Sequence, residues 1–223
     1  MKPDPSGFID HTLLRQDASA EEIEKLCLEA LNFRFYSVCV NPCHVENCLS
    51  LLRDTPVKIC TVAGFPLGAM HSAAKAYEAS LAVSEGADEI DMVINIGALK
   101  EGDLLKAGND ISEVRSACAE GIVLKVIIET CLLTEEEKKA ACRLALDAGA
   151  DFVKTSTGFS GGGASEEDVR LMKEAASGRL RVKASGGIKT LDDALKMISA
   201  GADRLGTSSG AAIMKQFKAG FQQ

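Results

Sequence analysis

Short apolar runs alternate with longer amphipathic stretches along the whole chain. Eight such runs are present, with the sequences FIDHT, YSVCV, VKICTV, EIDMVIN, LKVIIET, DFVKTS, RVKAS and RLGTS. Runs of this length are typical of strands, whereas the stretches between them have the spacing of apolar residues expected for helices. The pattern therefore predicts strands and helices in alternation.

The predicted helix boundaries carry capping signals. Ser19 with Glu22, and Thr134 with Glu137, have the spacing of a capping box at a helix start. Three helical stretches end in the same tripeptide, Gly-Ala-Asp, whose glycines are Gly86, Gly149 and Gly201. Glycine accepts the left-handed backbone that ends many helices, so each tripeptide marks a joint from helix to strand.

Eight strands separated by helices within 223 residues predict an α/β protein with a (β/α)8, or TIM, barrel fold. No linker or change in composition divides the chain, and we therefore assign residues 1–223 to a single domain. An open, doubly wound parallel sheet is the alternative that the alternation leaves open.

Composition and charge exclude several classes of protein. Hydrophobic residues make up 46% of the chain and charged residues 26%, as in ordinary soluble globular proteins. No apolar run approaches the roughly 20 residues of a membrane helix, and MKPDPSGFID at the start lacks the apolar core of a signal peptide. A net charge of -7 without a block of basic residues argues against a nucleic-acid partner. We therefore expect a cytoplasmic protein that binds neither membranes nor nucleic acids.

The cysteines indicate neither disulfides nor a metal site. All eight are scattered, several of them within periodic apolar stretches, so we expect reduced thiols. Cys39 and Cys43 have three residues between them rather than the two of a typical zinc knuckle, and only His44 lies nearby. We therefore predict that the protein binds no metal ion.

Strand periodicity places several charged side chains inside the predicted barrel. Alternate residues of a strand share a face, and Ile90 and Met92 form an apolar face that packs against helices. The same parity directs a set of charged residues inward: Asp10, Glu89, Asp91, Lys125, Glu129, Lys154, Arg181 and Lys183. Burying charges is costly unless they pair, so a network that only fills the barrel is one interpretation. The other is an active site, because Asp91, Lys154 and Lys183 fall toward the C-terminal strand ends, where barrels build active sites.

Two neighbouring lysines indicate a specific chemistry. Burial and a nearby cation both lower the pKa of a lysine side chain, which then becomes a neutral amine able to attack a carbonyl and form a Schiff base. Parity alone does not distinguish whether Lys154 or Lys183 is the nucleophile.

The loops after the last two predicted strands have the composition of an anion site. They are ASGGI, residues 184–188, and GTSSGAA, residues 206–212. Glycine lets backbone N–H groups approach an anion, serine hydroxyls donate hydrogen bonds, and a following helix adds its positive end. Barrels of this class often bind phosphate at this position. Thr157 and Gly158, which follow Lys154, are candidates to join the site.

The chain resembles the deoxyribose-phosphate aldolase family over almost its whole length. The motifs that carry the resemblance are FIDHTLL (8–14), SVCVNP (37–42), EIDMVINIGAL (89–99), KVIIET (125–130), DFVKTSTGF (151–159), VKASGGI (182–188) and RLGTSSG (204–210). The resemblance implies a (β/α)8 fold and a class I (Schiff-base) aldolase that needs no metal or other cofactor. Such an enzyme reversibly cleaves 2-deoxy-D-ribose 5-phosphate to acetaldehyde and D-glyceraldehyde 3-phosphate. We expect a homo-oligomer whose substrate is this small phosphorylated sugar.

The resemblance also assigns roles that parity leaves open. It implies that Lys154 forms the Schiff base, that Lys183 perturbs it, that Asp91 transfers protons through water, and that Asp10 supports the lysines. It places the phosphate at Gly187 and Ser208. With Thr157 and the neighbours of these two residues, the expected substrate-binding residues are Thr157, Gly158, Gly186, Gly187, Ser208 and Ser209.

Two departures and two alternatives accompany the resemblance. Some members of the family have a lysine directly after KTSTG and a C-terminal tail ending in tyrosine, whereas this chain has Phe159 and ends in GFQQ. The residues are also compatible with a Schiff-base aldolase that uses a larger ketone donor. A barrel that binds phosphorylated metabolites without catalysis is the alternative of a different class.

Overall fold

Eight parallel strands form a closed barrel in a computed structural model that describes residues 3–220 of the chain. The strands are β1 (Ile9–Leu13), β2 (Ser37–Val40), β3 (Lys58–Ala63), β4 (Glu89–Val93), β5 (Val123–Ile127), β6 (Phe152–Lys154), β7 (Arg181–Ser185) and β8 (Arg204–Thr207). Each strand pairs with the next in sequence, and β8 pairs back with β1. Closure confirms the predicted (β/α)8 fold and excludes the doubly wound sheet.

Helices surround the barrel. In the described residues they are α1 (Ala20–Phe33), α2 (Val45–Leu52), α3 (Ser72–Ser84), α4 (Ile96–Lys100), α5 (Leu104–Ala117), α6 (Glu135–Asp147), α7 (Glu166–Ala176), α8 (Leu191–Ala200) and α9 (Gly210–Ala219). The predicted capping boxes are present at Ser19 and Thr134. Gly86, Gly149 and Gly201 have φ angles of 111°, 75° and 109°, as predicted for residues at helix ends. No helix within residues 3–220 has the length and apolar character needed to cross a membrane.

Apolar residues fill two separate spaces. The main core lies between the barrel and its helices and includes Ile90 and Met92, as parity predicts. The His11 ring, which is also directed outward, has its Nε2 atom 2.7 Å from Glu29 Oε2 on α1. A smaller cluster consists of Leu14, Cys39, Cys60 and Val62, with Phe65 packed against it. The smaller cluster belongs to the barrel interior, because the Cys60 thiol contacts Asp91 there.

A buried ion pair fixes the loops that follow β3 and β4. Lys75 of α3 and Asp110 of α5 are fully buried, with 2.6 Å between Nζ and Oδ2. The Lys75 ammonium also donates to the carbonyl oxygens of Gly68 and Val93, and the Asp110 carboxylate accepts from the amide of Asn95. Loss of either charge therefore leaves the other buried and uncompensated.

Replacing Asp110 with asparagine should lower the free energy of unfolding by about 3–5 kcal/mol, because the Lys75 ammonium would remain buried without its carboxylate. Adding Lys75→Met should recover part of the loss, since apolar groups often replace a buried ion pair at little cost. Urea denaturation at pH 7 of wild type, both single variants and the double variant measures these differences. Equal stability of Asp110→Asn and wild type would show that the pair does not hold the loops.

Candidate active site

Asp91 in β4 lies at the centre of an ion-pair network inside the barrel. Its Oδ1 atom lies 2.7 Å from the Lys125 ammonium, and its Oδ2 atom lies 2.9 Å from that of Lys154 and 2.7 Å from that of Lys183. Asp91, Lys125 and Lys183 are completely buried, and Lys154 is 2% exposed. Two lysines thus share one carboxylate oxygen.

The network continues toward the N-terminal strand ends and closes into a ring. Lys125 pairs with Glu89 at 2.6 Å, and Lys183 pairs with Asp10 at 2.5 Å. Arg204 of β8 bridges the two carboxylates, at 2.7 Å from Asp10 and 3.4 Å from Glu89. Every charged group of the ring therefore contacts at least two groups of opposite charge.

The pairing register of the strands brings these side chains together. Asp91 is the partner of Lys125 across β4 and β5, and Lys154 is the partner of Lys183 across β6 and β7. Directly paired residues of neighbouring strands point to the same face. Like charges in such a pair repel each other, and the carboxylate of Asp91 compensates both lysines. Sequence parity predicts the inward direction of these four residues correctly.

The network holds most of its members in their charged forms. Burial alone would raise the pKa of Asp91, but the charges of the three lysines lower it well below its ordinary value. Burial alone would lower the pKa values of Lys125 and Lys183, but the neighbouring carboxylates raise both above the ordinary lysine value. At neutral pH Asp91 is therefore ionised, and Lys125 and Lys183 are ammonium ions.

The network contains one more basic group than it contains carboxylates. Three carboxylates face four basic groups: Asp10, Glu89 and Asp91 against Lys125, Lys154, Lys183 and Arg204. An uncompensated charge is costly where water is excluded, so the count favours loss of one proton from one basic group. Neighbouring carboxylates hold three of the four basic groups in their charged forms, since they also raise the pKa of Arg204 against the effect of burial. Lys154 contacts one carboxylate of the network, whereas each of the other three basic groups contacts two, and this geometry makes Lys154 the candidate to lose the proton.

A cavity of about 470 Å³ opens over Lys154 at the C-terminal strand ends. The predicted site residues that line it are Lys154, Thr157, Gly158, Gly186, Gly187 and Ser208. Asp10, Asp91 and Lys183 are not among its lining residues but lie in the network to which Lys154 belongs. Ser209 is likewise absent from the lining and is the residue that precedes α9.

The side of the cavity formed by the loops after β7 and β8 is suited to an anion. Gly186 and Gly187 have φ angles of 86° and 81°, a left-handed pair that turns the backbone sharply. Ser208 lies next to the N-terminus of α9, whose first amides carry a positive partial charge. Lys189 also lines the cavity. An anionic group there would meet backbone donors, a hydroxyl and an ammonium.

One cluster inside the barrel has the residue types of a metal site, but the charges around it disfavour a cation. Ligand atoms of Cys39, Cys60 and Asp91 lie within 4.8 Å of one another. Burial raises the pKa of the Cys60 thiol well above its ordinary value, so this thiol keeps its proton. A divalent cation would also have to displace the ammonium groups that already surround Asp91. The absence of a metal site therefore stays our prediction for this protein.

Two residues that contact the charged groups of the network, Arg204 and Cys60, escape the sequence analysis, and Arg181, which parity directs inward, does not take part in the network. Period-two alternation in RLGTS directs Arg204 inward, so that signal was available. Cys60 has no such signal, because its 3.2 Å contact with Asp91 Oδ1 depends on the pairing of β3 with β4. Arg181 does not join the network: its side chain is 49% exposed and stacks on the Phe152 ring at 4.1 Å. Arg181 is the first residue of β7, at the solvent-exposed N-terminal end of the strand.

The structure describes Phe159, one of the two positions at which the chain differs from some members of the family, but only the first residue of the terminal GFQQ. Phe159 is 55% exposed and packs edge-on against Phe65, with 5.2 Å between ring centres. Of this aromatic pair, Phe159 lines the cavity. Residues 221–223 of the terminal GFQQ lie outside the described residues.

Comparisons with known proteins agree with this geometry. The model of the DeoC/LacD family aldolases matches residues 7–216. The deoxyribose-phosphate aldolase of Carboxydothermus hydrogenoformans is 61% identical over 96% of this chain and 95% of the relative. That of Finegoldia magna is 56% identical over 93% of this chain and 97% of the relative. The structure of the tetrameric deoxyribose phosphate aldolase from Aeropyrum pernix is similar at a TM-score of 0.90, with 33% identity over 96% of this chain and 91% of that one.

Replacing Asp10 with asparagine should lower the free energy of unfolding by about 3–5 kcal/mol at pH 7, because it breaks a buried pair. Burial would raise the pKa of Asp10, but Lys183 and Arg204 lower it far below its ordinary value of 3.8. The stabilisation is therefore complete above pH 3.8 and is lost as the pH falls toward the folded-state pKa.

Urea denaturation at pH 7 and pH 3 measures the difference between Asp10→Asn and wild type, which should shrink at the lower pH. Asp17→Asn is the matched control, because Asp17 pairs with Arg15 on the surface and should contribute less than about 1 kcal/mol. A stability difference for Asp10→Asn that stays constant with pH would contradict the ion-pair origin.

Proposed function

The chain belongs to the DeoC/LacD aldolase family, and we propose that it is a class I aldolase that reversibly cleaves 2-deoxy-D-ribose 5-phosphate. The products are acetaldehyde and D-glyceraldehyde 3-phosphate. The observation that carries the proposal is the position of Lys154. Of the three interior lysines, it alone combines contact with the network and a place in the lining of the cavity.

Lys154 is the nucleophile in this proposal. A Schiff base requires a neutral amine that reaches a carbonyl, and Lys183 is completely buried and held as an ammonium. The charge count is balanced when Lys154 is neutral, so the network supplies the reactive form. Lys183, which shares the Asp91 oxygen with Lys154, keeps a positive charge beside the amine. Asp10 keeps Lys183 charged and in place.

The reaction then proceeds through an imine. The Lys154 amine adds to the C1 aldehyde, and loss of water gives a protonated imine. As the C3 hydroxyl loses its proton, the C2–C3 bond breaks and its electron pair moves into the imine, which forms an enamine and releases glyceraldehyde 3-phosphate. Protonation at C2 and hydrolysis then release acetaldehyde. We assign the proton transfers at the C3 hydroxyl and at C2 to water associated with Asp91, the carboxylate that contacts Lys154.

The phosphate lies at the glycine-rich side of the cavity in this proposal. Gly186, Gly187 and Ser208 supply backbone and hydroxyl donors, and Lys189 adds a positive charge. Gly158 completes the site from the neighbouring loop, which follows β6. The imine is the electron sink, so the mechanism needs neither a metal ion nor another cofactor.

Two alternative functions make different demands on the site. An aldolase with a larger ketone donor needs space beside Lys154, whereas the apolar cluster around Leu14 leaves the interior side filled. A screen of acetaldehyde, propanal and acetone as donors distinguishes these cases. A barrel that only binds phosphorylated metabolites does not require a neutral lysine within a charged network.

Assembly and location belong to the same proposal. The Aeropyrum pernix relative is described as tetrameric, and this chain exposes large apolar side chains, among them Leu67, Tyr77 and Leu105. We extend a homo-oligomeric state to this chain on that basis. A cytoplasmic location is consistent with its unpaired cysteines.

Borohydride reduction in the presence of acetaldehyde should attach a two-carbon group to Lys154. Peptide mass analysis locates the adduct. The Lys154→Met variant is the control and should show no adduct at any interior lysine. An adduct on Lys183 would reverse the two assignments, and binding of the sugar phosphate without any adduct would favour the non-catalytic barrel.

Replacing Lys183 with leucine should slow imine formation at pH 7 by orders of magnitude, with partial recovery as the pH rises. Three carboxylates would then face three basic groups, so Lys154 would be retained as an ammonium. The double variant Asp10→Asn, Lys183→Leu restores one excess basic group and should recover part of the neutral-pH rate. The measurement is the pH profile of borohydride trapping for both variants. An equal loss in both variants at every pH would disprove the charge-balance explanation.

A further inference from the structure

We propose that Glu129 is a positioning residue that holds the loop of residues 157–160 in the shape that binds the substrate phosphate. The inference rests on the proposed function, because it concerns the loop that supplies Thr157 and Gly158 to the cavity. Sequence parity directs Glu129 into the barrel, yet neither the ion-pair network nor the mechanism uses it.

The backbone of Glu129 has a conformation that glutamate rarely adopts. Its φ and ψ angles are 54° and 66°, in the left-handed region. Such a conformation costs free energy in a residue other than glycine and persists only where the surroundings impose it. Residues of this kind cluster at functional sites, so the strain calls for a reason in the surrounding structure.

Pairing with β6 imposes this conformation. The amides of Ile128 and Thr130 donate to the carbonyl oxygens of Lys154 and Thr155, at 3.0 and 2.9 Å. In a regular parallel ladder, two amides that are two residues apart on one strand bond to carbonyls that are also two residues apart on the other strand. Here the amides of Ile128 and Thr130 are two residues apart, but the carbonyls of Lys154 and Thr155 that they bond to are adjacent. Glu129 is therefore an extra residue, a bulge that redirects its side chain beside the nucleophilic lysine.

The Glu129 carboxylate binds the loop that follows Lys154. It is 1% exposed, and its two oxygens lie 3.2 and 3.3 Å from the amide nitrogen of Thr157. Oε2 also accepts hydrogen bonds from the hydroxyls of Thr157 and Ser160. The Thr157 hydroxyl in turn accepts from the amide of Phe159 at 3.1 Å. In the described part of the chain, uncharged donors of this one loop are thus its main partners.

Residues 157–160 lie in the first half of the longer loop between β6 and α7, and the far end of this longer loop is fixed against the turn that follows β7. Ala164 donates its amide to the Gly186 carbonyl at 3.0 Å. A Cβ atom on Gly163 would lie 2.4 Å from that carbonyl oxygen, so this contact requires glycine. The loop therefore connects the Glu129 bulge to the glycine turn proposed for phosphate. Release of its first half from Glu129 would displace Thr157 and Gly158 from the cavity wall without disturbing Lys154 in β6.

Three variants separate positioning from stability. Glu129→Gly removes the carboxylate but relieves the left-handed backbone, so it should fold at least as well as Glu129→Ala. Glu129→Gln keeps an oxygen that accepts from the Thr157 amide and should restore part of the function. Thermal unfolding of each variant provides the stability readout.

The measurement compares deoxyribose 5-phosphate with deoxyribose, and adds inorganic phosphate as a competitive inhibitor. In Glu129→Gly, KM for the phosphorylated sugar and Ki for inorganic phosphate should rise about 10- to 100-fold, as expected for lost hydrogen bonds to a carboxylate. The value of kcat/KM for deoxyribose and the rate of acetaldehyde trapping on Lys154 should change less than about threefold, within the range of an indirect effect. Glu129→Gln should lie between wild type and Glu129→Gly.

An equal loss of kcat/KM for both sugars in the stable Glu129→Gly variant would overturn the proposal. Slower trapping of acetaldehyde in that variant, or an unchanged Ki for inorganic phosphate, would also overturn it. Failure of the proposed function has a different signature, because wild type itself would then show neither turnover nor trapping. In that case, phosphate affinity is measured from amide chemical shifts in wild type and Glu129→Gly. Equal affinity in the two would again overturn the role of Glu129.

Discussion

The attraction between Asp91 and three buried lysines is the interaction on which the rest of the site depends. Taking charges out of water is costly, and the ring of opposite charges that includes Asp10, Glu89 and Arg204 offsets that cost. The same ring has one basic group more than it has carboxylates. In the mechanism we propose, this excess is the reason why Lys154 loses its proton, so that the same network would stabilise the interior and supply the reactive amine.

The loops at the C-terminal strand ends depend on a second kind of constraint, in which buried polar side chains bind backbone groups of the loops. Lys75 and Asp110 bind backbone groups of the loops after β3 and β4. Glu129 binds the loop after β6 in the same manner, though without a cation. Each of these side chains thus ties a loop beside the cavity to the elements that carry it.

The site has an apolar side and a polar side. The cluster around Leu14 and Val62 occupies the side of β1 to β3, whereas glycine turns and Lys189 line the side of β7 and β8. Lys154 lies between them on β6. In the function we propose, the polar side would bind the phosphate of the sugar and the apolar side would limit the size of the donor aldehyde.

The sequence by itself determined the alternation of strands and helices, the capped helix ends and the inward direction of Asp10, Asp91, Lys125, Lys154 and Lys183. These features are local, because they follow from periodicities of two and 3.6 residues and from capping chemistry. Motif resemblance added the distinction between Lys154 and Lys183, which parity could not provide. The charge count, the contact of Cys60 with Asp91 and the bulge at Glu129 were decided only by tertiary structure. Each depends on how distant strands pair, and a register between strands brings together residues that no local pattern relates.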